Sequence, residues 1–212
     1  MYIQKVFEEN RISVLHDLIE QNPLGTLTVY GSYGLSADHL PFTLDRHGLE
    51  LGVLKTHIAR GNPLHKSVAE TNEVMVIFQG PDAYISPSWL PRRHINGRVQ
   101  PSWAYTAVHA MCSIKFIDDD SWINAHFEQS VNCFEAGLLD PWQVAEAPKD
   151  FIDGLKQHVV GIELTIHNLL GKRQLMQQRN IDDRLAIIEG LRTQSDPSAH
   201  QVAKQIAQTI EN

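Results

Sequence analysis

Apolar positions change their period several times along this chain. Between Asn10 and Gln21, Ile12, Leu15 and Ile19 recur at helical spacing. That pattern predicts a helix over 10–21, with Asn10 as its cap and Asn22-Pro23 as its stop. Through the next ninety or so residues the apolar runs are short and rich in β-branched and aromatic side chains: LGTLTVYG (24–31), LSADHLPF (35–42), LELGVL (49–54), VMVIF (74–78) and AYTAVHAMCSIKFI (104–117). Gly, Pro, Asn and Asp separate them, which predicts strands. NPLHKSVAE (62–70) fits a short helix with Pro63 in its first turn. Closely spaced strands with one inserted helix predict an antiparallel barrel rather than a βαβ sheet.

After residue 118 the helical period returns. Residues 120–136 carry Trp122, Ile123, Phe127, Val131 and Phe134, and 148–158 fit a shorter helix. VVGIELTI (159–166) reads as a strand. Two closing helices follow, at about 181–193 and 197–210, the last with Val202, Ile206 and Ile210 on one stripe. A β-rich core followed by mostly helical elements makes the expected class α+β. The expected organisation is one domain over 1–212. Residues 1–118 hold the N-terminal helix and barrel core, and 119–212 hold helices plus a β-segment that completes or decorates the barrel.

Composition narrows this picture. At 212 residues with 42% hydrophobic and 20% charged residues, the chain is expected to bury a packed core. A net charge of −7 and a pI near 5.8 argue against attachment to nucleic acid by overall charge, and leave a local basic patch open. No window reaches the roughly 18 apolar residues of a membrane span. The start MYIQKVFEEN lacks a signal peptide's basic-then-apolar layout, so a cytoplasmic protein is expected. Cys112 and Cys133, in apolar surroundings without a CxxC, are expected to be buried, reduced thiols.

Three stretches could carry chemistry. In FQGPDAYISPSWL (78–90), Gly80-Pro81 predicts a turn, and Ser86 and Ser88 are candidate nucleophiles. Y-I-S-P-S-W is not G-x-S-x-G, and Pro87 removes a backbone donor between the serines, so a serine hydrolase is disfavoured. A hairpin corner and a ligand-pocket wall of aromatic faces and hydroxyls both remain. In THIARGNPLHKS (56–67), Arg60 offers a rigid fork of donors, Thr56, His57, Asn62 and Ser67 add polar groups, and the helix start behind Asn62-Pro63 adds free N–H groups. This is an anion-cradle candidate or an ordinary helix cap. In QPSWAYTAVHA (100–110), Trp103, Tyr105, Ala107 and His109 share a strand face, which suits a flat ring or a core. The preceding LPRRHINGRVQP (90–101) reads as an exposed basic loop. Eleven histidines occur without HExxH or paired cysteines, so no metal site is expected. No GxGxxG or GxxxxGK[ST] appears.

ADHLPF (37–42), THIARGNPLHKS (56–67), VMVIFQGPDAYISPSW (74–89) and PSWAYTAVHA (101–110) resemble, in order and spacing, the PaiB-type proteins, described as FMN-binding split-barrel negative transcriptional regulators. VVGIEL (159–164), GKRQLMQQR (171–179) and the closing helices are similar to that family's C-terminal part. The resemblance implies an antiparallel split β-barrel of the pyridoxamine-phosphate-oxidase-like kind with additional C-terminal helices, a homodimer, and FMN as cofactor. It assigns His57, Arg60 and Asn62 to the phosphate end and places His39, Gln79, Tyr84, Ser86, Ser88 and Trp89 along the ribityl chain or the ring. Thr56, Trp103 and Tyr105 complete the expected cofactor-binding set. Two departures stand out: LPRRHINGRVQP is longer than the family's usual connection, and Arg173, Met176 and Gln178 replace its usual Trp, Ser and Asn. The implied function is flavin binding in gene regulation, with Arg92, Arg93, Arg98, Lys172 and Arg173 as candidate DNA contacts. Two alternatives stand beside it: a flavin-dependent oxidoreductase, with His109 or Tyr105 delivering a proton, and a binding module without cofactor.

Overall fold

The computed structural model describes residues 1–31, 34–68 and 72–211. A short strand β1 (Glu8–Glu9) precedes α1 (Ile12–Gln21), which ends one residue before Asn22-Pro23 as its sequence predicts. Then come β2 (Leu24–Gly31), β3 (Gly34–Pro41), β4 (Thr43–Asp45), β5 (Val53–Ala59), the one-turn α2 (Leu64–Ser67) and β6 (Glu73–Ile85). The one-turn α3 (Arg92–Ile95) leads to β7 (Ser102–Ile117), α4 (Asp120–Glu135), α5 (Lys149–Lys156), β8 (Val159–Gln174), α6 (Ile181–Arg192) and α7 (Pro197–Glu211). The strands are hydrogen-bonded in the order β3-β2-β6-β7-β8-β5-β4, with β1 also on β8. The pairs β2–β3, β2–β6, β4–β5, β5–β8 and β1–β8 are antiparallel.

The chain divides into two compact units, residues 1–18, 79–108 and 170–212 in one and 19–78 with 109–169 in the other. Strands β6, β7 and β8 each give one end to each unit. In the second unit, period-2 alternation sends Leu27 and Val29 of β2, Leu54 and Ile58 of β5, and Val74, Val76 and Phe78 of β6 into the core. Phe42 meets Phe78 edge to face, with ring centroids 5.7 Å apart. The first unit buries Ile85, Leu90, Leu175, Met176, Ile187 and Leu191 against the Val202 and Ile206 stripe expected of the last helix. Ser198 at the start of α7 accepts a hydrogen bond from the Asp82 amide and donates one to the Asp82 carbonyl, which ties the helix to β6.

Three expectations change. Gly80-Pro81 does not turn the chain: β6 runs through it for 13 residues. The buried alternation instead slips by one residue, from Val74, Val76, Phe78 and Gly80 to Ala83 and Ile85. A missing proline N–H at a one-residue slip is the mark of a bulge. The run 49–54 contributes only its end to a strand, because Gly52 at φ +83° closes a turn before β5. Cys112 is buried, and burial pushes its thiol up to about 12. Cys133 is exposed, not buried, since α4 commits Ile123 and His126 to the interior while its last turn leaves Cys133 and Phe134 outside.

Candidate functional site

In the second unit, the segment assigned to the phosphate end is bonded to distant parts of the chain. Thr56 is a core position of β5 and its hydroxyl donates to the Pro41 carbonyl at 2.7 Å. His57 Nδ1 lies 3.0 Å from His126 Nε2. Arg60 clasps Asp118 through both terminal nitrogens, at 2.8 and 2.6 Å, and donates to the carbonyls of Gln157 and Val159. Asn62 donates to Asp38 and accepts from the Leu64 amide, so its side chain starts α2. His39 faces Thr26 across the β2–β3 pair, with Nδ1 3.0 Å from the threonine oxygen. A groove of about 730 Å³ runs along Ser36, Asp38, Ala59 and Asn62, with no cationic side chain among the described residues of its lining.

The first unit holds an aromatic cleft of about 440 Å³. Tyr84, Ser86, Trp89 and Trp103, all singled out from the sequence, line it together. The Tyr84 and Trp103 rings meet at 5.9 Å and 63°, each about half exposed. The indole N–H of Trp103 donates to Asp82, whose other oxygen accepts from Gln79. Ser86 caps a 3₁₀ turn over Pro87–Trp89 by accepting from the Ser88 amide, and the two hydroxyls are 2.7 Å apart. The serine hydroxyls are thus engaged with each other and with the turn backbone. Tyr105 lies outside this lining, and its ring face is covered by the Lys172 ammonium at 5.0 Å.

The far wall of the cleft was not read from the sequence. Leu191 lies in the last turn of α6, and Gln194, Asp196 and Ala199 belong to the α6–α7 turn and the start of α7. Gly190 lets α6 approach the Trp89 indole so closely that a Cβ there would overlap the ring. Nothing local marks these residues, because they reach the cleft only through tertiary packing of a helix pair on β6.

The cleft's donor set suits a flat heteroaromatic ring. Indole and phenol faces provide stacking area, Ser86 and Gln194 provide neutral donors and acceptors, and the Asp82 and Asp196 carboxylates provide acceptors for ring N–H groups.

Comparison with known proteins bears on the family and the fold. The sequence model of the family described as "Putative FMN-binding domain" matches residues 1–168. An uncharacterised protein of Emericella nidulans is 32% identical, covering 90% of each chain. Protease synthase and sporulation protein PAI 2 of Bacillus subtilis is 26% identical, covering 96% of this chain and 95% of its own. Among solved structures, the FAD and heme binding protein from Mycobacterium smegmatis superposes with a TM-score of 0.55 at 16% identity, over 79% of this chain and 73% of that one. The flavocytochrome Anf3 from Azotobacter vinelandii gives 0.56 at 12%, over 81% and 72%. The shared fold is the antiparallel split barrel with helices that the sequence resemblance implies.

Proposed function

The chain belongs to this FMN-binding domain family, and we propose that it binds FMN with the isoalloxazine ring against Tyr84, Trp89 and Trp103. The convergence of these aromatics with Ser86 on one cleft carries the reading. The flavin would supply redox chemistry. This chain's residues would bind and orient the ring: the aromatics by stacking, Ser86 and Gln194 by hydrogen bonds, and Asp82 by holding the Trp103 indole in place.

Flavin binding, rather than duplex recognition, is the function supported. α3 is a single turn carrying Arg92, Arg93 and His94, too short for a recognition helix in a groove. A regulatory role of the PaiB kind would run through the flavin state. A homodimer fits the apolar side chains left open on the β2–β3 hairpin, where Tyr30 and Leu35 are register partners, 72% and 78% exposed.

The test is an absorbance scan of the purified protein followed by FMN titration. Expected are a flavin spectrum or saturable uptake, and a rise in Tm with added FMN. A colourless protein that neither binds FMN nor gains stability from it rejects the reading. Light scattering checks the dimer, and anisotropy with promoter-length duplex at low salt checks direct DNA binding.

A further inference from the structure

The first unit has a second cleft, of about 510 Å³, that the flavin reading does not use. Its lining includes Arg92, Arg98 and Arg179, with Asp183 as its single acid. The arginines are delivered by separate devices. Arg92 opens α3. Arg98 follows Gly97, a turn residue at φ +65°, and its amide is held by the Asn96 side chain at 3.0 Å. Arg179 closes the turn after β8, its amide donating to the carbonyl of Met176, itself at φ +62°.

These guanidiniums differ from others in the chain. Arg11, Arg46 and Arg60 each hold a carboxylate at 2.7, 2.7 and 2.6 Å. Arg92 and Arg179 instead stand 3.7 and 3.9 Å from the same Asp183 oxygen, beyond hydrogen-bond distance. Among the described residues, Arg98 has no carboxylate, and the buried Nε of Arg179 has no hydrogen-bond partner. Asp183 is nearly fully buried, and its amide is bound by Asn180, the cap of α6. Three converging cations with unspent donors face one recessed carboxylate. Like charges held this way repel unless an anion neutralises them, and the guanidinium fork fits a phosphate in two-point contact.

We propose that this cleft binds a small phosphate-bearing molecule, with Arg98 and Arg92 gripping the phosphate from the strap 92–100 and Arg179 from the opposite wall. The polar lining from Gln100, Gln178 and Asn180 offers amides to the rest of such a ligand, and the volume exceeds that of a single inorganic phosphate. A concave cleft in a chain of net charge −7 suits a small anion better than a nucleic-acid duplex. The inference does not rest on the flavin reading.

Inorganic pyrophosphate is the probe, added to the full chain and followed by calorimetry and thermal shift. The expected result is one site per chain and a rise in Tm that sodium chloride of equal ionic strength does not give. Arg98→Gln, on an exposed loop, should weaken binding about tenfold or more without lowering Tm in the absence of ligand. Arg92→Gln with Arg98→Gln should abolish it, and Lys149→Gln, at an exposed site on α5, should not affect it. The proposal is overturned if pyrophosphate gives neither heat nor stabilisation, or if the double variant binds as well as the parent. A duplex oligonucleotide that binds more tightly than pyrophosphate, and loses binding in the double variant, also overturns it.

Discussion

Nδ1 of His57 lies 3.0 Å from Nε2 of His126, inside the second unit. The His126 ring is also stacked on Trp122, with centroids 5.1 Å apart. Two neutral imidazoles satisfy this contact, one donating and one accepting. Burial holds His57 below the ordinary range, and burial with the neighbouring His57 takes His126 down to about 4. An unfolded histidine titrates near 6.5, so below that pH the unfolded chain binds the proton more readily than the folded one. The stabilisation is therefore complete above about pH 6.5 and is lost as the pH falls toward 4. Denaturant unfolding from pH 7 to 4.5 should show stability falling by about 2 kcal/mol from this pair. His126→Gln should be less stable at pH 7 and should lose less on acidification. An equal slope in parent and variant would remove the pair from the account.

Arg60 and Asp118 make a two-point ion pair that joins the end of β5 to the turn before α4. Each raises the other's preference for the charged form: the Arg60 guanidinium lowers Asp118, and Asp118 raises Arg60. The pair is solvent-facing, so its contribution is small and screened by salt. Arg60→Ala is expected to lower Tm by a few degrees at most and to leave FMN affinity within about threefold, because its donors are spent on Asp118 and two carbonyls. A loss of FMN affinity of about tenfold or more, the size expected for a charge-assisted contact, would return Arg60 to the phosphate end.

Gly190 sits under Trp89 with no room for a methyl group. Gly190→Ala gains helix propensity but must displace the indole, and overpacking of this kind costs about 1–3 kcal/mol. Since Trp89 lines the aromatic cleft, the same change should weaken FMN binding. A thermal melt and an FMN titration of one variant check both. A more stable variant with parental affinity would show that Trp89 moves aside freely and takes no part in the site.

The sequence made the strands and the aromatic candidates legible because both follow local rules. Short β-branched runs mark 24–31 and 74–78 as strands, and the Y-I-S-P-S-W and PSWAY stretches mark Tyr84, Trp89 and Trp103 as aromatics awaiting a use. The bulge at Pro81-Asp82 was hidden because Gly-Pro carries the composition of a turn, whereas β6 continues through it to Ile85. Arg60 advertised a free fork, yet its partner lies 58 positions away. Ser198 meets Asp82 across 116 positions, so the helical wall of the cleft had no local signature. Side-chain pairing at such separations is decided by packing rather than by propensity.

Trp103 offers the most direct probe of the cleft. Its ring is 49% exposed, so replacing it removes little buried area, and its indole N–H is held by Asp82 at 3.0 Å, so the ring presents one orientation to a ligand. Stacking on an aromatic ligand adds about 0.5–1.5 kcal/mol beyond burial, which corresponds to a loss of roughly threefold to tenfold in FMN affinity for Trp103→Leu. Asp82→Asn should act in the same direction but less strongly, since an amide oxygen still accepts from the indole while the acceptor for a ring N–H loses its charge. Trp142→Leu, an exposed tryptophan outside the cleft, is the matched control and should leave affinity unchanged. Bound flavin should also quench tryptophan fluorescence by less in Trp103→Leu than in Trp142→Leu. If the two tryptophan variants lose the same affinity and the same quenching, the flavin ring does not lie against Trp103.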